Sequence, residues 1–264
     1  MSVGSSPIRF DAMAKAQGTA LYPGDRQADD AAVAKVVFTG QPHARLIRLD
    51  VTAAVAVPGV ITVVTADDVP RNEYGLTKFD QPVLIGSINT DDVAVETNVS
   101  RWEADHLAVV VAETIEAANA GAAAIVAEWE QLELVPDIDA ALGDRVLVHP
   151  QDGTNSYTHL KIRHGDVEQG FADADVIVEH TYEVPYQEHA YLQPEAATAW
   201  IDEAGRVTVE VAGQWTHEDQ AQVAHALMLD LSQVRIIYPA IGGAFGGRED
   251  MSVQIVMALA VRKL

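Results

Sequence analysis

Residues 234–261 read VRIIYPAIGGAFGGREDMSVQIVMALAV, and the fold turns on them. The β-branched run VRIIYP predicts a strand at 234–239. Val253, Ile255, Val256, Leu259 and Ala260 then predict an apolar helix. Between them lies Ile241–Asp250, with Gly242, Gly243, Gly246 and Gly247. Glycines permit left-handed backbone angles and close approach of another group to main-chain N–H donors. Such a loop entering a helix also suits an anionic group. Two nucleotide patterns fail here. A P-loop needs Lys-Ser or Lys-Thr where this chain has Arg248-Glu249, and G-x-G-x-x-G fits no register of the four glycines. On spacing alone the loop reads equally as a packing turn or as a ligand loop.

Moving upstream, Thr216-His217-Glu218-Asp219 has the form of a capping box opening a helix to about Leu229. AATAWID (196–202) and RVTVEVA (206–212) flank Glu203-Ala204-Gly205 as a hairpin. ADVIVEHTYEV (174–184) alternates, with Val176, Val178, His180, Tyr182 and Val184 on one face, and predicts another strand. The polar stretch 136–166 reads as a domain boundary or crossing segment. Before it, AKVVFT (34–39), VITVVT (60–65) and DHLAVVVA (105–112) predict strands bounded by turn residues. Thr114 is placed to cap a helix whose buried face would run Ile115, Ala118, Ala122, Ile125, Val126, Trp129. Leu132–Val135 would be a further strand, stopped by Pro136. The fold class is therefore α+β.

Composition narrows the function. The 264 residues carry 17 basic and 39 acidic side chains, a net charge of −22. Such an excess repels nucleic-acid phosphates and anionic lipid, so neither is an expected partner. The lysines are Lys15, Lys35, Lys78, Lys161 and Lys263, a sparse set that suits a salt-adapted or GC-rich source or simply a well-solvated surface. No cysteine is present, which excludes disulfides, thiolate metal ligands and a cysteine-held iron–sulfur cluster on this chain. No apolar run approaches the roughly 20 residues of a membrane span, and no signal-like N-terminus is visible, so the expected location is cytoplasmic. His189, His217 and His225 lack metal-ligand spacing and read as solvated or core histidines.

Several ordered segments resemble the xanthine dehydrogenase and aldehyde oxidase family of molybdenum hydroxylases. IGGAFGGRED resembles that family's G-G-G-F-G-G-K-E loop. TYEVPYQEHAYLQPEAATAW (181–200) resembles its strand pair around Q-E-H-x-Y-L-E, and GQWTHEDQAQVAHALMLDLSQVRII (213–237) its T-Q-x-x-x-x-x-Q helix. KAQGTALYPGD and the segments from AKVVFTGQPHARL to LELVPDIDAAL resemble its α/β hammerhead domain. The resemblance runs from about Lys15 to Leu264. It implies a hammerhead domain over 1–148, followed by the first part of a mixed α+β molybdopterin-binding domain over 149–264.

The resemblance also implies roles. Gln187 matches a glutamine that hydrogen-bonds a molybdenum oxo oxygen. Phe245 and Gly246 match residues lying against the pterin, with Gly243 and Ala244 as adjoining backbone and Gln214 close by. Glu249 matches a glutamate that reaches the substrate ring in purine-oxidising members. Each has a plainer alternative: Gln187 as a polar strand residue, Glu249 as an acid favoured at a helix N-terminus. No protein ligand to the metal is implied. The implied cofactor is molybdenum-molybdopterin, and iron–sulfur clusters and FAD would sit on partner chains or domains. The implied reaction inserts a water-derived oxygen into a C–H bond of a purine-like N-heterocycle or an aldehyde. The family pattern departs at Arg101–Leu107, where many members have Tyr-x-Gly-Glu-Pro-Val, and at Ala244 and Arg248. Its catalytic glutamate lies far beyond the glycine helix. The isolated chain is therefore expected to need the remaining molybdenum-domain polypeptide, with a non-catalytic scaffold or fragment as the alternative.

Overall fold

The computed structural model describes residues 3–26, 30–86 and 95–264. Its strands are β1 (Val33–Phe38), β2 (Ala44–Asp50), β3 (Val60–Val64), β4 (Val99–Ser100), β5 (His106–Ala112), β6 (Val126–Gln131), β7 (Ala197–Ile201), β8 (Val207–Val211) and β9 (Val234–Ile237). Its helices are α1 (Ala12–Ala16), α2 (Thr52–Val55), α3 (Ile115–Ala123), α4 (Ile138–Leu142), α5 (Val167–Ala172), α6 (Thr216–Leu227) and α7 (Gln254–Lys263). By packing, residues 1–134 and 191–264 form one unit and residues 135–190 another.

In the larger unit, β5 lies between β1 and β3 and is antiparallel to both. Covered on both edges and both faces, its Leu107–Ala112 run is fully apolar and buried. A second sheet orders β4-β2-β6, and a third orders β7-β8-β9. In the third, β7 and β8 form the expected hairpin, closed by Gly205 at φ 76°. β9 runs parallel to β8 with α6 as the connection, because parallel neighbours need a crossover. The mixed helix and sheet content agrees with the α+β class.

One apolar core joins the first and third sheets. Val64, Val109 and Val111 share it with Val207, Val209, Val211, Leu227, Ile255 and Leu259. Each such side chain contributes about 2 kcal/mol of burial free energy. Main-chain acceptors tie the same elements: Lys263 Nζ donates to Val63 O at 2.9 Å, and Arg71 N–H to Ala226 O at 3.0 Å. The helix that follows the glycine loop is thus anchored on the β1-β5-β3 sheet.

Four expectations are corrected. The helix after Thr114 is capped as predicted, Thr114 accepting from Ala117 N–H at 3.2 Å, but it ends at Ala123. Val126–Gln131 is instead strand β6, paired with β2, and Ile115 and Val126 are exposed. VAEWEQ alternates, and an available partner strand decided between two periods that the residues both permit. The strand expected at 132–135 is absent, since pairing stops at Gln131. ADVIVEHTYEV forms no strand, and every residue from 174 to 184 is exposed. The capping box at 216–219 does not form: Trp215 is the N-cap, without a side-chain cap bond, and Asp219 is turned into the interior.

Candidate cofactor loop

The glycine loop has an inner and an outer half. Gly242 and Gly243 face inward. A Cβ at Gly242 would lie 2.5 Å from Gln193 Cβ, and one at Gly243 2.9 Å from Tyr191 Cβ. Here the glycines serve close packing, and Gly242 N–H donates to Gln193 Oε1 at 2.7 Å. Ala244 is buried, and its carbonyl accepts from Gly247 N–H at 2.9 Å, which turns the chain outward. At the tip, Phe245 takes φ 56° and Gly246 φ 90°. Phe245 is 75% exposed, and nothing lies within 4 Å of where a Gly246 Cβ would be. A bulky residue held at positive φ costs about 1–2 kcal/mol, so the surrounding bonds must impose it.

Those bonds converge on Arg248, which is 1% exposed. Its guanidinium stacks on Tyr191 at 4.1 Å, and Nη2 donates to Gln193 O at 2.5 Å. Nε lies 3.2 Å from Glu195 Oε1, an ion pair without hydrogen-bond alignment. The same Glu195 oxygen takes the Tyr191 hydroxyl at 2.7 Å, while Oε2 accepts from Ser252 Oγ at 3.0 Å. Burial first, then the Glu195 hydrogen bond, raises the Tyr191 phenol above its ordinary value. Gln214 joins from the other side. Its N–H donates to Arg248 O at 3.0 Å, and its Oε1 accepts from Arg248 N–H at 3.2 Å.

Beneath the loop sits Asp219, with no exposed surface. Its Oδ2 accepts from the Tyr238 hydroxyl and from Gln254 Nε2, the latter at 3.0 Å. Burial raises its carboxyl to about 6, the two hydrogen bonds oppose the rise, and Asp250 adds to it.

Of the candidate residues, Gly243, Ala244, Phe245 and Gly246 lie on this one loop, and Gln214, in the connector between β8 and α6, is bonded to its Arg248. Glu249 follows Arg248 and is half-buried. Gln187 belongs to the 135–190 unit, where it is exposed and its Nε2 donates to Glu188 O at 3.3 Å. Sequence reasoning did not find Tyr191, Gln193, Glu195, Asp219, Tyr238 or Gln254. The available signal was the dense polar run YLQPE and the acid of THED, neither of which reveals burial. At the divergent segment 101–107, Asp105 Oδ2 accepts the N–H groups of Arg101 and Trp102 at 2.7 and 3.1 Å.

The chain thus has a two-sheet half followed by a strand–glycine loop–helix half. The comparisons agree over both halves. Residues 17–133 match the model for the aldehyde oxidase and xanthine dehydrogenase a/b hammerhead domain, and residues 148–264 that for the molybdopterin cofactor-binding domain. The nicotinate dehydrogenase large molybdopterin subunit of Eubacterium barkeri is 34% identical over 97% of this chain and 58% of its own length. A probable xanthine dehydrogenase component of Bacillus subtilis is 32% identical over 98% of this chain and 33% of its own. The aldehyde oxidoreductase of Desulfovibrio desulfuricans superposes with a TM-score of 0.81 at 25% identity, covering 98% of this chain and 29% of that one. The chain belongs to the xanthine dehydrogenase and aldehyde oxidase family of molybdenum hydroxylases. It spans 58% of the first of these relatives and about a third of the second. Among the described residues, no helix is long and apolar enough to cross a membrane.

At the loop tip the exposed Phe245 ring stands beside Gly246, where nothing lies within 4 Å of a Cβ position, which leaves room for a bulky group such as the family's cofactor.

Proposed function

We propose that this chain supplies the hammerhead domain and the first part of the cofactor-binding domain of a molybdenum hydroxylase acting on an N-heterocycle, with domains divided near residue 148. The observation that carries this is the loop tip: an exposed Phe245 at positive φ beside open Gly246, imposed from beneath by buried Arg248. Phe245 and Gly246 would lie against molybdenum-molybdopterin, with Gly243 and Ala244 as the supporting backbone and Gln214 at its edge. Gln187 would donate a hydrogen bond to an oxygen of the metal's ligand sphere.

When bound, the cofactor supplies the two-electron redox chemistry of oxygen insertion. This chain's residues would cover one face of the cofactor and orient the substrate. Half-buried Glu249, next to the loop, would accept a hydrogen bond from a ring N–H and set which ring carbon faces the cofactor. The substrate class leans to N-heterocycles because a 34% identical relative is named for nicotinate and a 32% identical one for xanthine; an aldehyde is the alternative. Electrons would leave through iron–sulfur and flavin centres on partner chains or domains, in keeping with a sequence that has no cysteine.

The test is Gly246→Leu in the full protein. Molybdenum content should fall well below one equivalent while the thermal transition moves by only a few degrees; normal molybdenum content would sink the assignment. Glu249→Ala should keep the cofactor and slow pyridine and purine substrates more than aldehydes. Equal loss on every substrate would remove its role in recognition.

A further inference from the structure

Asp219 is an expensive residue to keep. Its carboxyl is buried, and among the described residues no cation pairs with it and Oδ1 has no hydrogen-bond partner. An apolar side chain of similar size would avoid that desolvation cost. What the carboxyl gains is reach across the chain. Tyr238 directly follows the strand that enters the glycine loop, and Gln254 opens the helix that leaves it. Both donate to the same oxygen, Oδ2. Gln254 Oε1 in turn accepts from Ser252 N–H at 2.9 Å, and Ser252 Oγ reaches Glu195 at 3.0 Å, which continues the bonding to the Arg248 cluster. Gly213 makes room for this: a Cβ there would lie 2.1 Å from the Tyr238 hydroxyl. Gly213 immediately precedes Gln214, so the connector that holds Arg248 is also packed on the clamp.

We propose that Asp219 is the positioning residue of the glycine loop, a single buried carboxyl that pins the loop's two ends together and so fixes how Phe245 and Gly246 are presented. Apolar packing alone would leave the ends free to slide, because it is non-directional. Two hydrogen bonds to one oxygen set a fixed distance between them. Its consequence for the cofactor rests on the function proposed above; the clamp itself does not.

Amide hydrogen exchange in the full protein, read at Gly242, Gly247 and Arg248 against amides of β5, tests it. Asp219→Leu removes the shared acceptor and should speed exchange at the loop about tenfold or more, the scale of one to two buried hydrogen bonds, with β5 unchanged. Asp219→Asn keeps a carbonyl oxygen for both donors and should restore wild-type protection. Should Asp219→Leu fail to fold, Tyr238→Phe and Gln254→Leu each release one end, on the Gly242 side and the Arg248 side respectively. The titratable groups facing Asp219 are Tyr238 and Asp250. Opening returns the carboxyl to water, so the loop should open about tenfold more often at pH 7 than at pH 5, after correction for intrinsic exchange. In Asp219→Asn that dependence should vanish. Wild-type loop exchange in the released variants, or an Asn variant that behaves like the Leu one, overturns the proposal. Molybdenum content is read in the same samples. Loops that open yet keep full molybdenum would overturn the cofactor seat and leave the clamp standing.

Discussion

Residues 207–211 (VTVEV) and 176–180 (VIVEH) are chemically close: both are β-branched runs with one acid. In the first, β8, every residue is buried, with β7 on one edge and β9 on the other. In the second every residue is exposed and none is in a strand, Val176 and Val178 standing at 78% and 81% exposure. The difference is supply of partners. A strand's backbone groups are satisfied only by neighbours, so alternation becomes structure where a ladder is available. β8 has a hairpin partner just upstream and a crossover partner after α6. Residues 174–184 have neither among the described residues.

That contrast can be tested by substitution, starting with glycines. Gly213→Ala places a methyl into the Tyr238 hydroxyl and should cost about 3 kcal/mol, lowering the denaturation midpoint without changing the m-value. Gly170→Ala, in α5 with nothing near its Cβ, should instead be neutral or stabilise by up to about 1 kcal/mol. Equal costs at both positions would show that Gly213 is not packed on Tyr238 as described.

A second test uses protons on the buried side. Burial depresses His106 to about 4 and raises Asp219 to about 6. For His106 the folded value lies below the unfolded one, so its contribution is present above pH 6.5 and lost as pH falls towards 4. Asp219 has the opposite sign: its folded value lies above the unfolded 3.8, so stability rises as pH falls through 6. The two largely cancel between pH 6 and 4. Asp219→Asn should unmask the histidine, so that on acidification from pH 7 to 4.5 the variant loses about 2 kcal/mol more than the wild type in urea titrations.

Smaller effects sharpen the same contrast. Val209→Ala should cost about 2 kcal/mol, and Val178→Ala less than about 0.5 kcal/mol. Phe245→Gly should stabilise the chain by about 1 kcal/mol, since it relieves a positive φ and loses little packing. A rise in stability together with a fall in molybdenum content would mark Phe245 as strained for function; a fall in stability would show that its ring is packed after all.

Much of this was legible in the residues. Continuous apolar runs such as LAVVVA mark buried strands wherever they occur, and Thr114 before an alanine-rich helix is a local cap with a local cause. Glycine spacing located the loop, because positive φ and close packing leave few alternatives. Two periods that coincide over 124–131 could not be separated, since β2 had to be in place to make that segment a strand. Nor did THED disclose which of its acids would be buried.

Sequence by itself determined the α+β class and the position of the glycine loop, which depend on local pattern and short spacing, while the family rested on a resemblance carried along most of the chain. Only the tertiary structure decided that Arg248 and Asp219 lie beneath the loop, with Tyr191, Gln193, Glu195, Tyr238 and Gln254 arranged around them. Burial and hydrogen-bond partnership are non-local: they arise when segments from 191–195, 213–219 and 238–254 meet, and no run of residues records that meeting in advance.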